Sequence, residues 1–222
     1  MSNYPVRVLS VTQVTHNVHH FEVEKPEGFM YKPGQATDLS ILKEGWEQEK
    51  RPFTFTSLPG AGTLEFTIKS YTNHDGVTNQ LLQVKPGDMF EISDAWGTIE
   101  YKGEGVFIAG GAGVTPFIAI LRHLYTQNKI GDCKLLFANK TASDIILKDE
   151  FEKMLGENLI NILSEENTSA YYHGRIDKAF LQQHITNFAQ PFYVCGPDPF
   201  NEAILTALKE LGANPDALVF EK

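Results

Sequence analysis

The chain has 222 residues, of which 42% are hydrophobic and 21% are charged, a composition typical of a globular protein with one large or two small domains. Its formal net charge of −9 argues against a nucleic-acid partner and against binding to an anionic membrane surface. The two cysteines, Cys133 and Cys195, are too few for an iron–sulfur cluster and supply no disulfide framework.

The first part of the chain has the pattern of short strands. Apolar and polar residues alternate over 4–24, 36–42, 64–71 and 89–92, as in half-buried strands. The segment Arg51–Ser57 is also extended, because Pro52 disfavours helical backbone at the residue before it. With one short helix expected over 80–84, this part predicts a small antiparallel β-barrel covering residues 1–101.

Three clustered histidines, His16, His19 and His20, are the only candidates for metal ligation in this part. Their spacing is not that of a helical ligand pair, and no carboxylate or thiol pattern accompanies them. We interpret them as solvated strand residues and predict no metal site.

From residue 102 onward, strands alternate with helices. Strands are expected over 105–109, 133–138, 159–163, 191–194 and 218–220, and helices over 115–127, 144–155, 176–185 and 199–211. Alternation of this kind predicts a parallel α/β sheet. The predicted fold is therefore two domains, an antiparallel β-barrel over 1–101 followed by an α/β domain over 102–222. No signal peptide or membrane-spanning run is visible, so we expect a cytoplasmic protein that does not bind membranes.

A glycine-rich turn between the first strand and helix of the α/β domain is the strongest candidate for ligand binding. Gly110, Gly111 and Gly113 follow an apolar strand, Thr115 is placed to cap the next helix, and Pro116 suits its first turn. The N–H groups and the dipole of such a helix start attract anions. The alternative is an ordinary tight turn between two core elements, because a glycine-rich turn alone is a weak signal.

Four segments, read in order, resemble the ferredoxin–NADP reductase superfamily. Arg51-Pro52-Phe53-Thr54 resembles its R-x-[Y/F]-[S/T] flavin signature, and Gly76–Asn79 its second flavin segment. Gly110–Pro116 resembles its G-G-x-G-x-T-P nicotinamide segment, and Cys195-Gly196-Pro197 its C-G-P segment. Together they span nearly the whole chain in the order of a barrel and an α/β domain, and the resemblance implies that the barrel binds FAD.

The resemblance implies a set of flavin-binding residues in the barrel. Arg51 would pair with a flavin phosphate, Phe53 would pack on the isoalloxazine ring, and Thr54 would hydrogen-bond near flavin N5 and count as catalytic. Lys69 would add positive charge near the phosphates. The backbone N–H groups that would hold the phosphate or pyrophosphate belong to Gly76, Val77, Thr78 and Asn79.

It also implies a nicotinamide site in the α/β domain. The cofactor pyrophosphate would bind at Gly111, Gly113, Thr115 and Pro116. The nicotinamide would lie beside Cys195, Gly196 and Pro197, with Cys195 and Glu221 as catalytic candidates. The alternatives are a buried thiol at a strand end for Cys195 and a solvated chain end for Glu221. Lys140, or Arg175, is a candidate contact for a 2′-phosphate and favours NADPH over NADH, although either is equally interpreted as a surface charge.

The implied activity is hydride transfer from NADPH or NADH to bound FAD, with FMN as the alternative flavin. Electrons would pass to a separate acceptor, either a small protein such as flavodoxin or ferredoxin or a small molecule, and the chain would be a monomer. An acidic acceptor would need a local basic patch, for which Lys43 and Lys50 are candidates. The alternatives are a flavin reductase that releases reduced flavin and a nucleotide-sensing redox subunit without turnover.

Overall fold

The structure is a computed structural model that describes residues 2–72, 75–97 and 99–220. The chain divides into two compact units, residues 1–97 and residues 98–222. The strands of the first unit are β1 (Asn3–Thr15), β2 (Val18–Glu24), β3 (Ala36–Ile41), β4 (Arg51–Thr54), β5 (Thr63–Lys69) and β6 (Met89–Ser93). A short helix, α1 (Val77–Gln80), runs directly into a 3₁₀ turn over Leu81–Gln83.

The first unit is a nearly closed antiparallel barrel, which confirms the predicted fold class. Its strand order is β4-β3-β6-β1-β2-β5, and all the pairings are antiparallel. The chain just past β4 joins β5 and nearly closes the sheet, because the Thr56 N–H donates to the Glu65 carbonyl oxygen over 2.8 Å. Inward-facing aromatic side chains fill the interior and are at most 1% exposed, namely Phe21, Phe55, Phe66 and Phe90.

The helix of the barrel unit lies earlier in the chain than predicted. The prediction was a helix over 80–84, whereas helical backbone begins at Val77 and ends at Gln83. Gly76 precedes it in an extended conformation, and Val84 ends it by returning to extended backbone. The sequence pattern missed the start because Gly76 has no side chain that could signal a cap.

The second unit is a six-stranded parallel sheet with helices, as predicted. Its strands are β7 (Val106–Gly110), β8 (Lys134–Asn139), β9 (Leu159–Leu163), β10 (Tyr172–His173), β11 (Phe192–Cys195) and β12 (Leu218–Phe220), in the order β10-β9-β8-β7-β11-β12. Its helices are α2 (Thr115–Thr126), α3 (Lys148–Leu155), α4 (Lys178–His184) and α5 (Asp198–Glu210). Further 3₁₀ turns lie at Gly111–Val114, Ala142–Asp144, Gly156–Asn158 and Pro215–Ala217.

Two elements of this unit differ from the prediction. The helix expected over 144–155 begins only at Lys148, because Leu147 adopts left-handed backbone with φ 51°. The residues before it form a 3₁₀ turn closed by a capping box, in which the Asp144 carboxylate accepts from the backbone N–H and the hydroxyl of Thr141. The two-residue strand β10 was missed, since two residues carry no detectable period.

The helix after the glycine turn is buried more fully than a single apolar stripe implies. The residues spaced along one helical face, Phe117, Ile120, Leu121 and Leu124, are at most 5% exposed, but Ile118 and Ala119 are also fully buried. This helix is therefore fixed by tertiary packing along most of its circumference. None of the helices formed by the described residues combines the length and apolarity needed to cross a bilayer.

The histidine cluster lies on the β1–β2 hairpin. His19 and His20 pair across the ladder with Gln13 and Thr12, and the His20 Nε2 lies 4.0 Å from a carboxylate oxygen of Glu65. Within residues 2–72, 75–97 and 99–220, no group of three or more His, Cys, Asp or Glu side chains is placed to hold a metal ion.

Candidate functional site

Strand β4 carries the predicted flavin signature in the barrel unit. Arg51 and Pro52 are exposed, whereas Phe53 and Thr54 are partly buried. Phe53 packs against the margin of the barrel core, which fixes its ring at the protein surface. The Arg51 guanidinium lies 3.3 Å from the Glu49 carboxylate with both side chains half exposed, so this weak surface pair leaves Arg51 accessible to a phosphate.

The second flavin segment begins at Gly76 and includes the short helix α1. No side chain caps the start of this helix, so the N–H groups of Val77 and Thr78 lack intrahelical partners. The N–H of Asn79 instead donates to the Gly76 carbonyl oxygen over 2.9 Å. Lys69 ends strand β5, opposite Val18 and partly buried. Donors for an anion are thus present in the barrel unit, and the predicted phosphate contacts remain predictions.

In the α/β unit, the structure brings the two predicted nicotinamide segments together. Strands β7 and β11 are neighbours, with Ala109 opposite Cys195, so the glycine turn and the Cys195-Gly196-Pro197 segment follow adjacent carboxyl ends. A Cβ added at Gly113 would lie 2.5 Å from the Cys195 carbonyl carbon and 2.6 Å from the Gly196 nitrogen. Only glycine allows the two backbones to approach this closely.

Packing within the protein requires glycine at two positions of this turn. A Cβ at Gly110 would meet the Phe200 ring at 3.2 Å, and one at Gly113 would meet the C-G-P backbone. Both are required by packing within the protein. Gly111 differs, because its φ is 53° and nothing lies within 4 Å of its would-be Cβ, so it alone leaves open space at the turn.

The role expected for Thr115 as a helix cap is wrong. Val114 is the N-cap of α2, and Thr115 is the first helical residue. Its hydroxyl donates to the Ala112 carbonyl oxygen over 3.0 Å, which holds the 3₁₀ turn against the helix. Pro116 lies in the first turn, as predicted. The Thr115 N–H donates to the Ala112 carbonyl oxygen and Pro116 has no N–H, so the start of α2 itself offers no free donor at these two positions. The 3₁₀ turn over Gly111–Val114 has no side-chain cap at its start, so its first N–H groups are the ones available to an anion.

Two residues that support this junction were not found from the sequence. The Phe200 ring packs on both glycine segments, since a Cβ at Gly196 would lie 2.5 Å from it. The Asn201 amide nitrogen donates to the Gly196 carbonyl oxygen over 2.9 Å. The sequence indicated these two residues only by their position, because both lie in the first turn of the helix that follows Pro197.

Cys195 ends strand β11 and is 6% exposed, a buried thiol that forms no disulfide. This matches the alternative of a thiol at a strand end and equally allows the predicted place beside the nicotinamide. Pro197 is the N-cap of α5. Glu221, the other catalytic candidate, lies outside the described residues.

The region after β8 and β9 contains carboxylates that the sequence reasoning overlooked. The Lys140 ammonium lies 2.9 Å from the Glu165 carboxylate, and this hydrogen bond raises the pKa of Lys140. The Glu166 carboxylate accepts from the Ala142 N–H over 2.7 Å. Lys140 therefore has a carboxylate partner, and the surface around it contains acidic side chains. Arg175, the other cationic candidate, is exposed.

These observations fit two nucleotide cofactors, one in each unit. The barrel unit offers an accessible guanidinium, a surface aromatic ring, a hydroxyl and an uncapped helix start. The α/β unit offers the uncapped start of the Gly111–Val114 turn, with open space at Gly111, at the carboxyl end of a parallel sheet, where such sheets bind nucleotides.

Comparison with protein families agrees with this assignment. Residues 3–126 match the FAD-binding domain family, and residues 107–206 match the oxidoreductase NAD-binding domain family. The first match alone covers more than half of the chain. The predicted cofactor classes, FAD and a nicotinamide dinucleotide, are thereby confirmed.

Individual relatives are similar along most of the chain. The reductase component of propane 2-monooxygenase from Rhodococcus jostii (strain RHA1) is 28% identical over an alignment of 216 residues, and the match covers 89% of this chain and 57% of that protein. NADH oxidoreductase HCR from Escherichia coli (strain K12) is 28% identical, covering 93% of this chain and 64% of its own. The chain thus spans about three-fifths of the length of these two relatives. NADH-cytochrome b5 reductase 1 from Rattus norvegicus is 29% identical over 88% of this chain and 77% of that protein.

Solved structures share the fold. The FAD/NAD-binding domain of nitric oxide dioxygenase from Vibrio cholerae superposes with a TM-score of 0.87 at 23% identity, covering 98% of this chain and 97% of that one. A ferredoxin NADP⁺ reductase from Neisseria gonorrhoeae with bound FAD and NADP gives a TM-score of 0.85 at 17% identity, covering 100% and 98%. With both domain families matched in order and the fold shared end to end, this chain belongs to the ferredoxin–NADP reductase superfamily of flavoproteins.

Proposed function

We propose that the chain is an NAD(P)H-dependent oxidoreductase that takes a hydride onto bound FAD and passes electrons to a separate acceptor. The observation that carries the proposal is the backbone contact between Gly113 and the Cys195–Gly196 segment. This contact joins two segments that are far apart in the sequence into one surface at the carboxyl ends of β7 and β11. A surface of this kind suits a dinucleotide.

The residues of this chain would act by binding and positioning, because the cofactors supply the redox chemistry. Arg51 and the start of α1 would hold the flavin phosphates, and Phe53 would support the ring. The Thr54 hydroxyl has no hydrogen-bond partner among the described residues and would bond near flavin N5. Cys195, buried at the end of β11, would form an apolar wall for the nicotinamide.

An anaerobic stopped-flow experiment tests this proposal. Mixing the FAD-loaded protein with NADH should bleach the oxidised flavin absorbance, and Thr54→Ala should slow that step. Thr63→Ala is a matched control, because its hydroxyl bonds to Glu22 on another strand and its loss should leave the rate unchanged. A nucleotide-sensing subunit would bind NADH without bleaching, which would overturn the proposal.

For the coenzyme we propose a preference for NADH over NADPH. Lys140, the residue that favours NADPH in the sequence analysis, is paired with Glu165. The Glu166 carboxylate also lies nearby, where it accepts a hydrogen bond from the backbone N–H of Ala142. A carboxylate near the carboxyl end of β8, the second strand of the α/β unit, suits the hydroxyl groups of a ribose diol. A 2′-phosphate at the same place would be repelled by the negative charge of that carboxylate. The ratio of kcat/KM for NADH to that for NADPH should exceed one, and Glu165→Gln should lower it. A ratio below one would contradict this preference.

For the acceptor we propose a separate redox protein. Several relatives are named as reductase components of monooxygenases or as cytochrome b5 reductases, which supports transfer to a partner. Charge does not add support for an acidic ferredoxin or flavodoxin, because the carboxylates of Glu91 and Glu49 lie beside the cations of Lys50 and Arg51 and make this surface mixed in charge. Turnover with a panel of ferredoxin, flavodoxin, cytochrome b5 and free flavins would separate these acceptors. Release of reduced free flavin as the main product would identify a flavin reductase instead.

A further inference from the structure

Two asparagine side chains are buried in the α/β unit among apolar neighbours. Asn139, the last residue of β8, is 7% exposed, and Asn161 of β9 is 8% exposed. Phe137 and Leu163, which lie next to them on the same two strands, are fully buried. Burying a carboxamide without a hydrogen bond costs free energy, so almost every buried side chain of this type has a partner.

Both asparagine side chains point to the same face of the parallel sheet. Asn161 lies opposite Phe137, and Asn139 lies two residues beyond Phe137 on β8. Opposed residues on neighbouring strands, and residues two apart along one strand, share a face. The Phe137 ring contacts the Phe151 ring of α3, with ring centroids 6.2 Å apart. The two carboxamides are therefore diagonal neighbours on the side of the sheet that α3 covers.

The polar atoms of this asparagine pair lack a partner in the described part of the chain. The Oδ1 and Nδ2 atoms of Asn139 and the Oδ1 atom of Asn161 are buried, and none of the three forms a hydrogen bond there. Exchanging the oxygen and nitrogen of the Asn139 carboxamide changes nothing, because both of its ends are unpartnered. The two side chains do not bond to each other either.

The backbone of both strands is fixed, so neither side chain can reach a protein partner by a shift of its strand. The Asn139 carbonyl oxygen accepts from the Ser164 N–H over 3.0 Å, and the Lys140 carbonyl oxygen accepts from the Glu165 N–H over 2.9 Å. Asn161 lies within the ladder between β8 and β9, and β8 is also paired with β7. The missing partner therefore has to be a molecule that enters the site.

We propose that a buried water molecule bridges Asn139 and Asn161 by donating a hydrogen bond to each Oδ1 atom. At strand spacing the Cα atoms of diagonal neighbours are roughly 8 Å apart, which lets two short side chains share one small molecule. Water has the two donors that two carboxamide oxygens need. Buried waters form about three hydrogen bonds each, so the water oxygen can also accept an N–H.

This water site lies beside the glycine-rich turn but is separate from it. Gly110, the last residue of β7, lies opposite Ala138, so Asn139 is level with the start of the turn. The water would tie the ends of β8 and β9 together at the place where the turn leaves the sheet. Neither the motif segments nor the proposed hydride transfer requires it, so the inference stands independently of the proposed function.

Nuclear magnetic resonance of the FAD-loaded, ¹⁵N-labelled protein tests the site directly. The side-chain NH₂ signals of Asn139, assigned through its backbone resonances, should show cross peaks to water in both NOE and ROE spectra. Opposite signs in the two spectra mark a water held as long as the protein takes to tumble, whereas equal signs mark proton exchange with the solvent. Equal signs, or no cross peak to water, would overturn the inference, and this measurement needs only the wild type.

Leucine substitutions give an independent measurement of the same site. Asn139→Leu and Asn161→Leu each remove one carboxamide and leave the other buried, so each variant should melt below the wild type. The double variant should melt above both single variants, because replacing both groups removes the unmet hydrogen bonds. Asn167→Leu, at an exposed position of the same unit, is the control and should melt like the wild type. Losses of Tm that simply add in the double variant would contradict a shared water.

Discussion

The close approach of Gly113 to the Cys195–Gly196 backbone makes a quantitative prediction. In Gly113→Ala, the new methyl group would lie 2.5 Å from the Cys195 carbonyl carbon and 2.6 Å from the Gly196 nitrogen. Carbon atoms normally meet at about 3.5–4.0 Å, so the overlap is about 1 Å. The atoms it meets are backbone atoms at the end of β11, which is paired on both sides with β7 and β12, and cannot rotate away. Either the strand or the turn therefore has to move.

Overpacking of this kind costs about 1–3 kcal/mol, and the upper end applies because more than one backbone atom is too close. For a chain of this size, 3 kcal/mol corresponds to a fall in Tm of about 10 °C. Since the turn has to move off the C-G-P segment, the KM for NADH should rise as well. Differential scanning calorimetry and steady-state kinetics measure the two effects.

Two matched glycines separate the clash from other effects of substitution. Gly111→Ala adds a methyl group to open space but at φ 53°, so it should cost about 1–2 kcal/mol from backbone strain alone. Gly60→Ala has open space and no positive φ, and should melt like the wild type. If Gly113→Ala melts within a degree of the wild type, the packing argument for this junction is refuted.

Three further predictions concern single side chains. Burial, with the nearby Lys134 charge, lowers the pKa of His184. The unfolded chain therefore binds the proton first, and the stability of the protein should fall as the pH drops below about 6.5. In His184→Gln, the dependence of Tm on pH between about 5 and 7, the titration range of histidine, should be flatter. Asp177 caps α4 by accepting a backbone N–H over 2.8 Å, so Asp177→Ala should lose about 1 kcal/mol in a denaturant titration, and recovery by Asp177→Asn would confirm the cap. Burial raises the pKa of Tyr31 to about 12, and its hydroxyl bonds to Ser57. The unfolded chain therefore loses this proton first, and the stability of the protein should fall as the pH rises above about 10. Tyr31→Phe should weaken that fall, and an unchanged pH profile would contradict the reasoning.

The sequence by itself determined the architecture and the family. Period-two alternation in the first part and alternating strands and helices in the second predicted the barrel and the parallel sheet, because each pattern reflects which face of an element is buried. The four motifs in order were sufficient for the resemblance, since they combine residue types and spacing that rarely occur together by chance. The position of Pro116 in the first turn of α2 was also predicted correctly from the local sequence.

Only the tertiary structure decided which glycines are required by backbone packing and which charged side chains have an ion-pair partner. Gly113 is glycine because of the Cys195–Gly196 backbone, some eighty residues later in the chain, and Lys140 has the Glu165 carboxylate 2.9 Å away because the two residues follow the adjacent strands β8 and β9. Contacts of this kind depend on pairing between distant segments, and the local pattern of residues has no information about which distant backbone or charge will be adjacent.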